Sequence, residues 1–319
     1  MSLPRLSPTA YRRITLLALV ALAVIVVTGA AVRLTGSGLG CPRWPNCDPG
    51  HLAPHGSTGY HGEVEFSNRV FTGLVSVSVI LAVLGSFVRV PRRRDLTWLS
   101  FGLVLGVLGQ IVLGGLTVIF ELSPPWVIGH FLLSIALVAN AVVLHVRAGR
   151  PDGVLRPVVA PEVRAMGRIL VAFTALVLVT GTIVTGAGPH GGDESVKRLD
   201  FFVPDVARVH GVAENLLLVT LLVTLWLLAR TAAPRAVRRD ATVFLAVLVA
   251  QATVGYTQYF TGVPVLLVGV HIVGAVCVWV AALRVLLGMW RVVPPPTPPA
   301  APDEDRPAGA ALAAAGRGG

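Results

Sequence analysis

Two glutamine–histidine pairs with equal spacing are the residues of this chain best placed for chemistry. Gln110 precedes His130 by the same length of chain by which Gln251 precedes His271. In both stretches a long apolar run ends in a short turn that contains proline, and the histidine follows at the start of the next apolar run. Buried imidazoles can hold a metal, and their regular recurrence indicates a duplicated unit that builds two related sites.

Asn68 and His210, which lie farther towards the N-terminus in the two copies, extend this repeat. The stretch from Asn68 to His130 matches the stretch from His210 to His271 in length to within a single position. The second copy therefore pairs two histidines, and a bis-histidine site between helices of a bundle is a standard way to hold haem. The first copy pairs Asn68 with His130 and adds Glu65. This asymmetry predicts one closed, six-coordinate electron-transfer site and one site with an open or weakly held position where chemistry can occur.

Glu65, Asn68 and Arg69 begin the second apolar run. Residues three or four positions apart share a helix face, so Glu65 can face Asn68 and pair with Arg69. An ionisable group at the end of a membrane helix indicates function, but a carboxylate near a helix N-terminus also serves as a simple cap, and both interpretations stay open. Arg69 and Arg208 are predicted to pair with haem propionates, with interfacial snorkelling as the alternative.

The elements that must position these residues are membrane-spanning helices. Of the 319 residues, 54% are apolar and only 13% are charged. Most of the uncharged runs are long enough to cross a hydrocarbon layer of about 30 Å as a helix, which satisfies its own backbone hydrogen bonds. We predict an all-α membrane protein with eight transmembrane helices. The runs are Ile14–Val32, Val70–Val88, Leu96–Phe120, Phe131–Leu144, Ile169–Ala187, Asn215–Ala229, Ala241–Pro264 and Val265–Leu283.

The net charge of +10, from 26 basic and 16 acidic residues, does not indicate nucleic-acid binding. The arginines cluster at alternate ends of the apolar runs, and the intervening loops carry few basic residues. By the positive-inside rule the arginine-rich ends and both termini are cytoplasmic. The basic excess therefore sets the topology, and no nucleic-acid partner is expected.

Each copy contains four spans, so both copies begin on the same side of the membrane and the repeats are parallel. We predict two pseudo-symmetric four-helix bundles. Residues 1–147 form the first bundle, with the reactive site and a long outer loop. Residues 148–165 are a cytoplasmic linker, and residues 166–291 form the second bundle, with the bis-histidine site. Residues 292–319, rich in proline and alanine, are predicted to be a disordered cytoplasmic tail.

The first outer loop contains two cysteines and three histidines. Five residues, two of them proline, separate Cys41 from Cys47, and a disulfide could close this short loop on the oxidising side of a membrane. A structural staple is favoured over an exchangeable redox pair. The spacing of His51, His55 and His61 fits no standard zinc pattern, so these histidines are predicted to be solvated.

Taken together, these motifs resemble the haem A synthase family, membrane enzymes that convert haem O to haem A for terminal oxidases. The resemblance covers about residues 13–291. Its most specific part is the loop Arg33-Leu-Thr-Gly-Ser-Gly-Leu-Gly-Cys-Pro-x-Trp-Pro-x-Cys, and the other matching elements are Glu65-x-x-x-Arg69, Gly114-Gly115-Leu116-Thr117, His130, His210 and His271.

The resemblance implies an eight-helix protein of two pseudo-symmetric four-helix bundles. It implies haem b in the second bundle and the substrate haem O in the first. The family's functional residues correspond to His210 and His271 as haem b ligands, His130 as the helix-four histidine of the substrate site, Glu65 as the carboxylate important for oxidation, and Cys41 with Cys47 as the loop disulfide.

One position departs from the family pattern. Where the family has Glu-x-x-His-Arg at the start of helix two, this chain has Asn68 between Glu65 and Arg69. An amide does not replace an imidazole as a strong iron ligand. The substrate iron is then left with His130 as its single protein ligand, or with a water held by Asn68.

The reaction implied by the family is oxidation of one porphyrin methyl to a formyl through hydroxylated intermediates. The sequence has no nicotinamide or flavin fingerprint, so the electrons are expected from an unidentified partner or a quinol. The chain is expected to lie in the lipid of a bacterial cell membrane, with haem O synthase as a partner. Whether it forms a homo-oligomer is left open. The alternatives are a non-catalytic haem carrier or electron-transfer subunit, which Asn68 favours, and a transporter, which is weaker because no span is visibly broken.

Overall fold

A computed structural model describes residues 5–55 and 59–293. Within these residues it contains eight helices, each long and apolar enough to cross a membrane. The chain is therefore a multi-pass membrane protein, and the prediction of eight spanning helices is confirmed. The helices are α1 (Pro8–Leu34), α2 (Gly59–Val88), α3 (Arg94–Ile119), α4 (Pro124–Ala148), α5 (Pro161–Ala187), α6 (Val203–Arg230), α7 (Arg235–Phe260) and α8 (Val265–Gly288), and the strands are β1 (Val154–Pro157) and β2 (Trp290–Val293).

Proline and one polar cap set where several helices begin. The Ser7 side chain accepts a hydrogen bond from the Ala10 N–H at 3.2 Å, and Pro8 follows it in the first turn of α1. Pro124 and Pro161 occupy the same place in α4 and α5. Proline is tolerated there because the first N–H groups of a helix have no partner within the helix. These residues mark where the three helices begin.

The helices pack as two sets of four with matching neighbours. In the first set α1 and α3 each contact α2 and α4, and in the second set α5 and α7 each contact α6 and α8. Contacts of α4 with α8, α1 with α8 and α4 with α5 join the two sets. This arrangement agrees with a duplicated unit, while the symmetry axis and the domain bounds stay predictions.

Apolar side chains fill the inside of both sets and also cover their outer surface. Leu103 belongs to the core of the first set and Phe244 to that of the second, and both are fully buried. Leu266, by contrast, is 78% exposed, as suits a surface that faces lipid. The buried indole of Trp279 on α8 donates to the Ile135 carbonyl of α4 at 3.0 Å, which links the two sets.

The strands β1 and β2 form an antiparallel ribbon that joins the linker to the segment after α8. Val154 pairs with Val293, and Pro157 pairs with Trp290. Val292 and Val293, assigned to the tail from the sequence, therefore lie in a strand, because the linker supplies partners for their backbone groups and valine favours extended structure. The rest of the predicted tail, residues 294–319, lies outside the described residues.

Candidate functional site

A cavity of about 1210 Å³ is lined by residues from all the helices α1–α8. A smaller cavity of about 420 Å³, at the opposite end of α4, has a lining of arginines and aspartates and contains no histidine among the described residues. The large cavity brings both predicted sites into one space. Its lining includes Glu65, Asn68, Arg69, His130, Arg208, His210 and His271.

Two histidines of the second helix set come together at this cavity. The ring centroids of His210 on α6 and His271 on α8 are 6.4 Å apart, and the ring planes are inclined by 71°. Two metal–imidazole bonds of about 2 Å each, together with the half-widths of both rings, need a separation of about 6 Å. The spacing of this pair therefore fits one metal atom, such as a haem iron, between the rings.

Hydrogen bonds at Nδ1 decide which ring nitrogen can bind a metal. The Thr180 hydroxyl donates to the Leu176 carbonyl at 3.0 Å, so its oxygen accepts from His210 Nδ1, also 3.0 Å away. His210 Nε2 then carries the lone pair that a metal needs. Gln251 Nε2 lies 3.0 Å from His271 Nδ1 and donates to the His271 carbonyl at 2.8 Å. Ligation through Nε2 of His271 requires a proton on Nδ1 and therefore a rotated Gln251 amide whose oxygen accepts from Nδ1, and this rotation gives up the bond to the His271 carbonyl.

A glycine on the preceding helix faces each of the four repeated polar residues. At Gly181 and Gly255 an added Cβ would lie 3.0 Å from the Cε1 atom of the facing histidine, which is closer than an ordinary contact. These glycines therefore let each imidazole lie directly against a helix backbone. The pairs are Gly29 with Asn68, Gly114 with His130, Gly181 with His210, and Gly255 with His271.

The first helix set has one histidine where the second has two. Among the described residues, the buried atoms His130 Nδ1 and Asn68 Oδ1 have no hydrogen-bond partner. Gln110 Nε2 donates to the His130 carbonyl at 3.1 Å, but its other bond goes to Ser134 Oγ at 2.6 Å and not to the imidazole. Buried polar atoms without a partner are rare and indicate an additional ligand or water. His130 and Asn68 thus each keep one buried polar atom without a protein partner among the described residues.

Glu65 and Arg69 connect α2 to the first outer loop. Arg69 Nε and Nη2 donate to Glu65 Oε1 at 3.1 and 2.5 Å, so the two side chains form the ion pair that their spacing allows. Glu65 Oε2 accepts from the Cys41 N–H at 2.7 Å. Arg69 also donates to the Cys41 carbonyl at 2.9 Å and the Pro45 carbonyl at 3.2 Å. Arg69 is thus largely engaged within the protein, and its contact with a haem carboxylate stays a prediction.

The first outer loop also brings an aromatic ring to the cavity. Cys41 and Cys47 form a disulfide, so the predicted bridge is present. The Trp44 indole packs on α3 at Gly115, where an added Cβ would lie 2.8 Å from Cε2 of the ring. Gly115 therefore accommodates Trp44, which lines the cavity. Gly115 therefore allows the loop to lie directly against α3.

Four other residues singled out from the sequence lie away from the centre of the cavity. The side chain of Arg208 is 76% exposed and donates to Asp205 Oδ1 at 3.0 Å, so its contact with a haem carboxylate stays a prediction. The loop histidines are exposed, as predicted. His51 and His55 stack on each other with ring centroids 4.8 Å apart, and His61 shares a hydrogen bond with a serine.

Sequence reasoning gave no role to two arginines that line the cavity, Arg33 and Arg198. Arg33 lies in the last turn of α1, and Arg198 lies in the segment that connects α5 to α6. The available signal was their position, because both arginines lie at the end of the membrane that the positive-inside rule leaves poor in basic residues. The glycines that face the four repeated polar residues were also missed, although each lies on the helix before its polar residue.

The comparisons with known proteins agree with these features. The family model COX15-CtaA, described as cytochrome oxidase assembly protein, matches residues 12–190. A protein of Listeria welshimeri named Heme A synthase is 29% identical over 264 residues, which cover 78% of this chain and 85% of that protein. A Lysinibacillus sphaericus protein of the same name is 33% identical over 132 residues, or 40% of each chain. The chain therefore belongs to the COX15-CtaA family of cytochrome oxidase assembly proteins.

Proposed function

We propose that this chain is a haem A synthase, a membrane oxidoreductase that oxidises a methyl group of haem O to a formyl group and so supplies haem A to terminal oxidases. The observation that carries the proposal is one cavity lined by a histidine pair in the second helix set and by a single histidine with a carboxylate in the first. An iron held by two histidines has no open position and suits electron transfer. A site with one histidine leaves room for a reacting substrate. Family membership and the names of the relatives support the same activity.

His210 and His271 are the proposed ligands of a haem b. When bound, this haem supplies one-electron transfer. The chain itself orients the rings, because the Thr180 hydroxyl accepts from Nδ1 of His210 and a glycine backbone lies against each imidazole. Partners that orient a ligating histidine raise its affinity for metal, so this support belongs to the proposed site.

His130 is the proposed ligand or orienting group for the iron of the substrate haem O. Its Nδ1 atom and Asn68 Oδ1 are buried without partners in the described part of the chain, which supports a bound molecule or water at both places. Asn68 occupies the position of a histidine in the repeat and lies near Gly29, as the histidines lie near their glycines. Its amide can hold a water beside the substrate but is a poor substitute for imidazole.

Glu65 is the proposed catalytic carboxylate, which stabilises developing positive charge or moves a proton in the apolar cavity. Its side chain is only 9% exposed and lines the cavity. Arg69 holds the carboxylate in place and at the same time fixes the first outer loop. The loop, with Trp44, then covers the site and excludes water from the substrate.

The protein is proposed to lie in a bacterial cell membrane with both termini in the cytoplasm, because the arginine clusters occur at that end of the helices. The disulfide loop then lies on the oxidising side. The conversion of methyl to formyl balances as two hydroxylations, each of which consumes one dioxygen, two protons and two electrons and releases one water, followed by loss of water from the dihydroxylated carbon. The electrons come from a partner protein or a quinol, and haem O synthase is the expected source of the substrate.

Extraction and chromatography of haems test the proposal. Membranes that contain this chain and a source of haem O should form haem A, whereas His130→Ala and Glu65→Ala should abolish it and keep the bis-histidine spectrum. The rival function is a haem carrier without catalysis, which Asn68 favours. Bound haem b with haem O still unconverted after a quinol or chemical reductant is supplied would establish the carrier and rule out the synthase.

A further inference from the structure

Two arginines from different helix sets approach each other where the outer loops meet the cavity. Arg33 lies in the last turn of α1, and Arg198 lies between α5 and α6. Both residues line the cavity and lie beside adjacent glycines, the stem of Arg33 against Gly192 and Nη1 of Arg198 against Gly191. We propose that Arg33 and Arg198 together bind a propionate carboxylate of the tetrapyrrole in the cavity. This inference rests on the proposed function and deepens it.

Neither arginine has an acidic partner among residues 5–55 and 59–293. The carboxylate of Asp193 accepts hydrogen bonds from Ser195 instead, at 2.9 Å from its N–H and 2.6 Å from its hydroxyl. Two like charges at a low-dielectric cavity are costly unless an anion lies between them. An arginine guanidinium matches a carboxylate geometrically, because it offers parallel N–H donors.

The hydrogen bonds of Arg198 leave part of its guanidinium for a ligand. Its Nε donates to the Gly188 carbonyl at 2.7 Å, and its Nη2 donates to the Thr185 carbonyl. These carbonyls end α5, so the arginine also neutralises the negative end of that helix. Its Nη1 lies 2.5 Å from where a Cβ of Gly191 would be, so Gly191 is needed for this placement. Burial lowers the pKa of Arg198 from its usual value.

Contacts between the outer loops fix the positions of the two arginines relative to each other. The Gly38 N–H donates to the Gly192 carbonyl at 2.9 Å, which joins the first outer loop to the segment that carries Arg198. Leu122, between α3 and α4, packs against both glycines, and the stem of Arg33 lies against Gly192. The site is therefore built from three outer segments and is complete only when both helix sets are folded together.

The chemistry of a tetrapyrrole fits this placement. Its ring is large and apolar and suits the helices, while its two propionates are acidic and lie on one edge. The proposed ligands His130, His210 and His271 line the same cavity as both arginines. A ring held at its iron by histidine can then direct its acidic edge to the arginines at the outer end. Arg69 and Arg208 already have protein acceptors, whereas Arg33 has none among the described residues.

The test compares iron protoporphyrin IX with its dimethyl ester, which lacks the negative charges. Full-length protein, purified without haem, is titrated with each compound and the absorbance is followed. We expect Arg33→Gln and Arg198→Gln to weaken binding of the free acid by about tenfold or more, the loss typical of one charge-assisted hydrogen bond. Binding of the dimethyl ester should be unchanged, and Arg33→Lys should restore much of the affinity for the free acid.

Arg43→Gln is the matched control, because Arg43 is an exposed arginine of the first outer loop that does not line the cavity and should have little effect. Equal affinity of the wild type and both glutamine variants for the free acid would overturn the inference while leaving the synthase proposal intact. An equal loss of affinity for the free acid and for the ester would also overturn it, because such a loss reflects disturbed folding and not a lost contact with the negative charge. A wild-type protein that binds no tetrapyrrole would overturn both this inference and the synthase proposal. Repeating the titration in His130→Ala and in His271→Ala shows which of the two tetrapyrroles supplies the carboxylate.

Discussion

The glycine behind His271 allows the proposed bis-histidine site to be tested through a single methyl group. In Gly255→Ala the new Cβ would lie 3.0 Å from His271 Cε1, whereas ordinary contacts begin at 3.4 Å. The ring must therefore shift by about 0.4 Å, which is about twice the 0.2 Å tolerance of a metal–ligand bond. Gln251 limits the shift because its side-chain amide lies against the same ring, 3.0 Å from Nδ1. Perturbing the support of a ligand costs about ten- to hundredfold in affinity, or about 1.4 to 2.7 kcal/mol.

The assay is the affinity of the purified full-length protein for haem, followed with the low-spin absorption spectrum. Gly129→Ala is the control, because Gly129 directly precedes His130 on α4, does not line the cavity, and an added Cβ there meets nothing within 4 Å. Both substitutions improve helix propensity by about 1 kcal/mol, so weaker folding does not account for a difference between them. Equal haem affinity and identical spectra in the two variants would refute the reasoning that the glycine positions the ring.

Three further predictions concern the first helix set. Asn68→His should create a second low-spin, six-coordinate haem in the purified protein, because an imidazole there can lie against Gly29; an unchanged haem-to-protein ratio and spectrum would contradict this. Glu65→Gln keeps an oxygen for the Cys41 N–H but loses the charge that Arg69 pairs with, at a cost of about 1.5 to 3 kcal/mol. The substitution should abolish the haem A that is extracted from membranes. A normal amount of haem A would show that Glu65 only holds the loop. Replacing both Cys41 and Cys47 by serine removes a short cross-link and should lower stability to thermal unfolding by about 2 kcal/mol, with an unchanged melting temperature as the contrary result.

The local part of the candidate site could be predicted from the sequence because its signals are short-range. An uncharged run of membrane length must become a helix, and Glu65 and Arg69 share a face because they are four positions apart. The equal spacing of glutamine and histidine in the two copies placed His130 and His271 at matching depths. The structure adds the partners that this spacing leaves unspecified. Gln251 reaches the imidazole of its histidine, whereas the equivalent Gln110 bonds to Ser134 instead.

The sequence by itself determined the helices, the end of each helix at which polar residues lie, and the duplicated order of the histidines, since hydropathy and spacing act within one segment. Only the tertiary structure decided which segments meet. It placed both proposed sites in one cavity, set Trp44 against Gly115, and brought Arg33 and Arg198 to one place. It also paired β1 with β2, which took Val292 and Val293 out of the predicted tail. These contacts depend on how helices rotate and pack against one another, and that rotation is fixed by side chains from several distant segments at once.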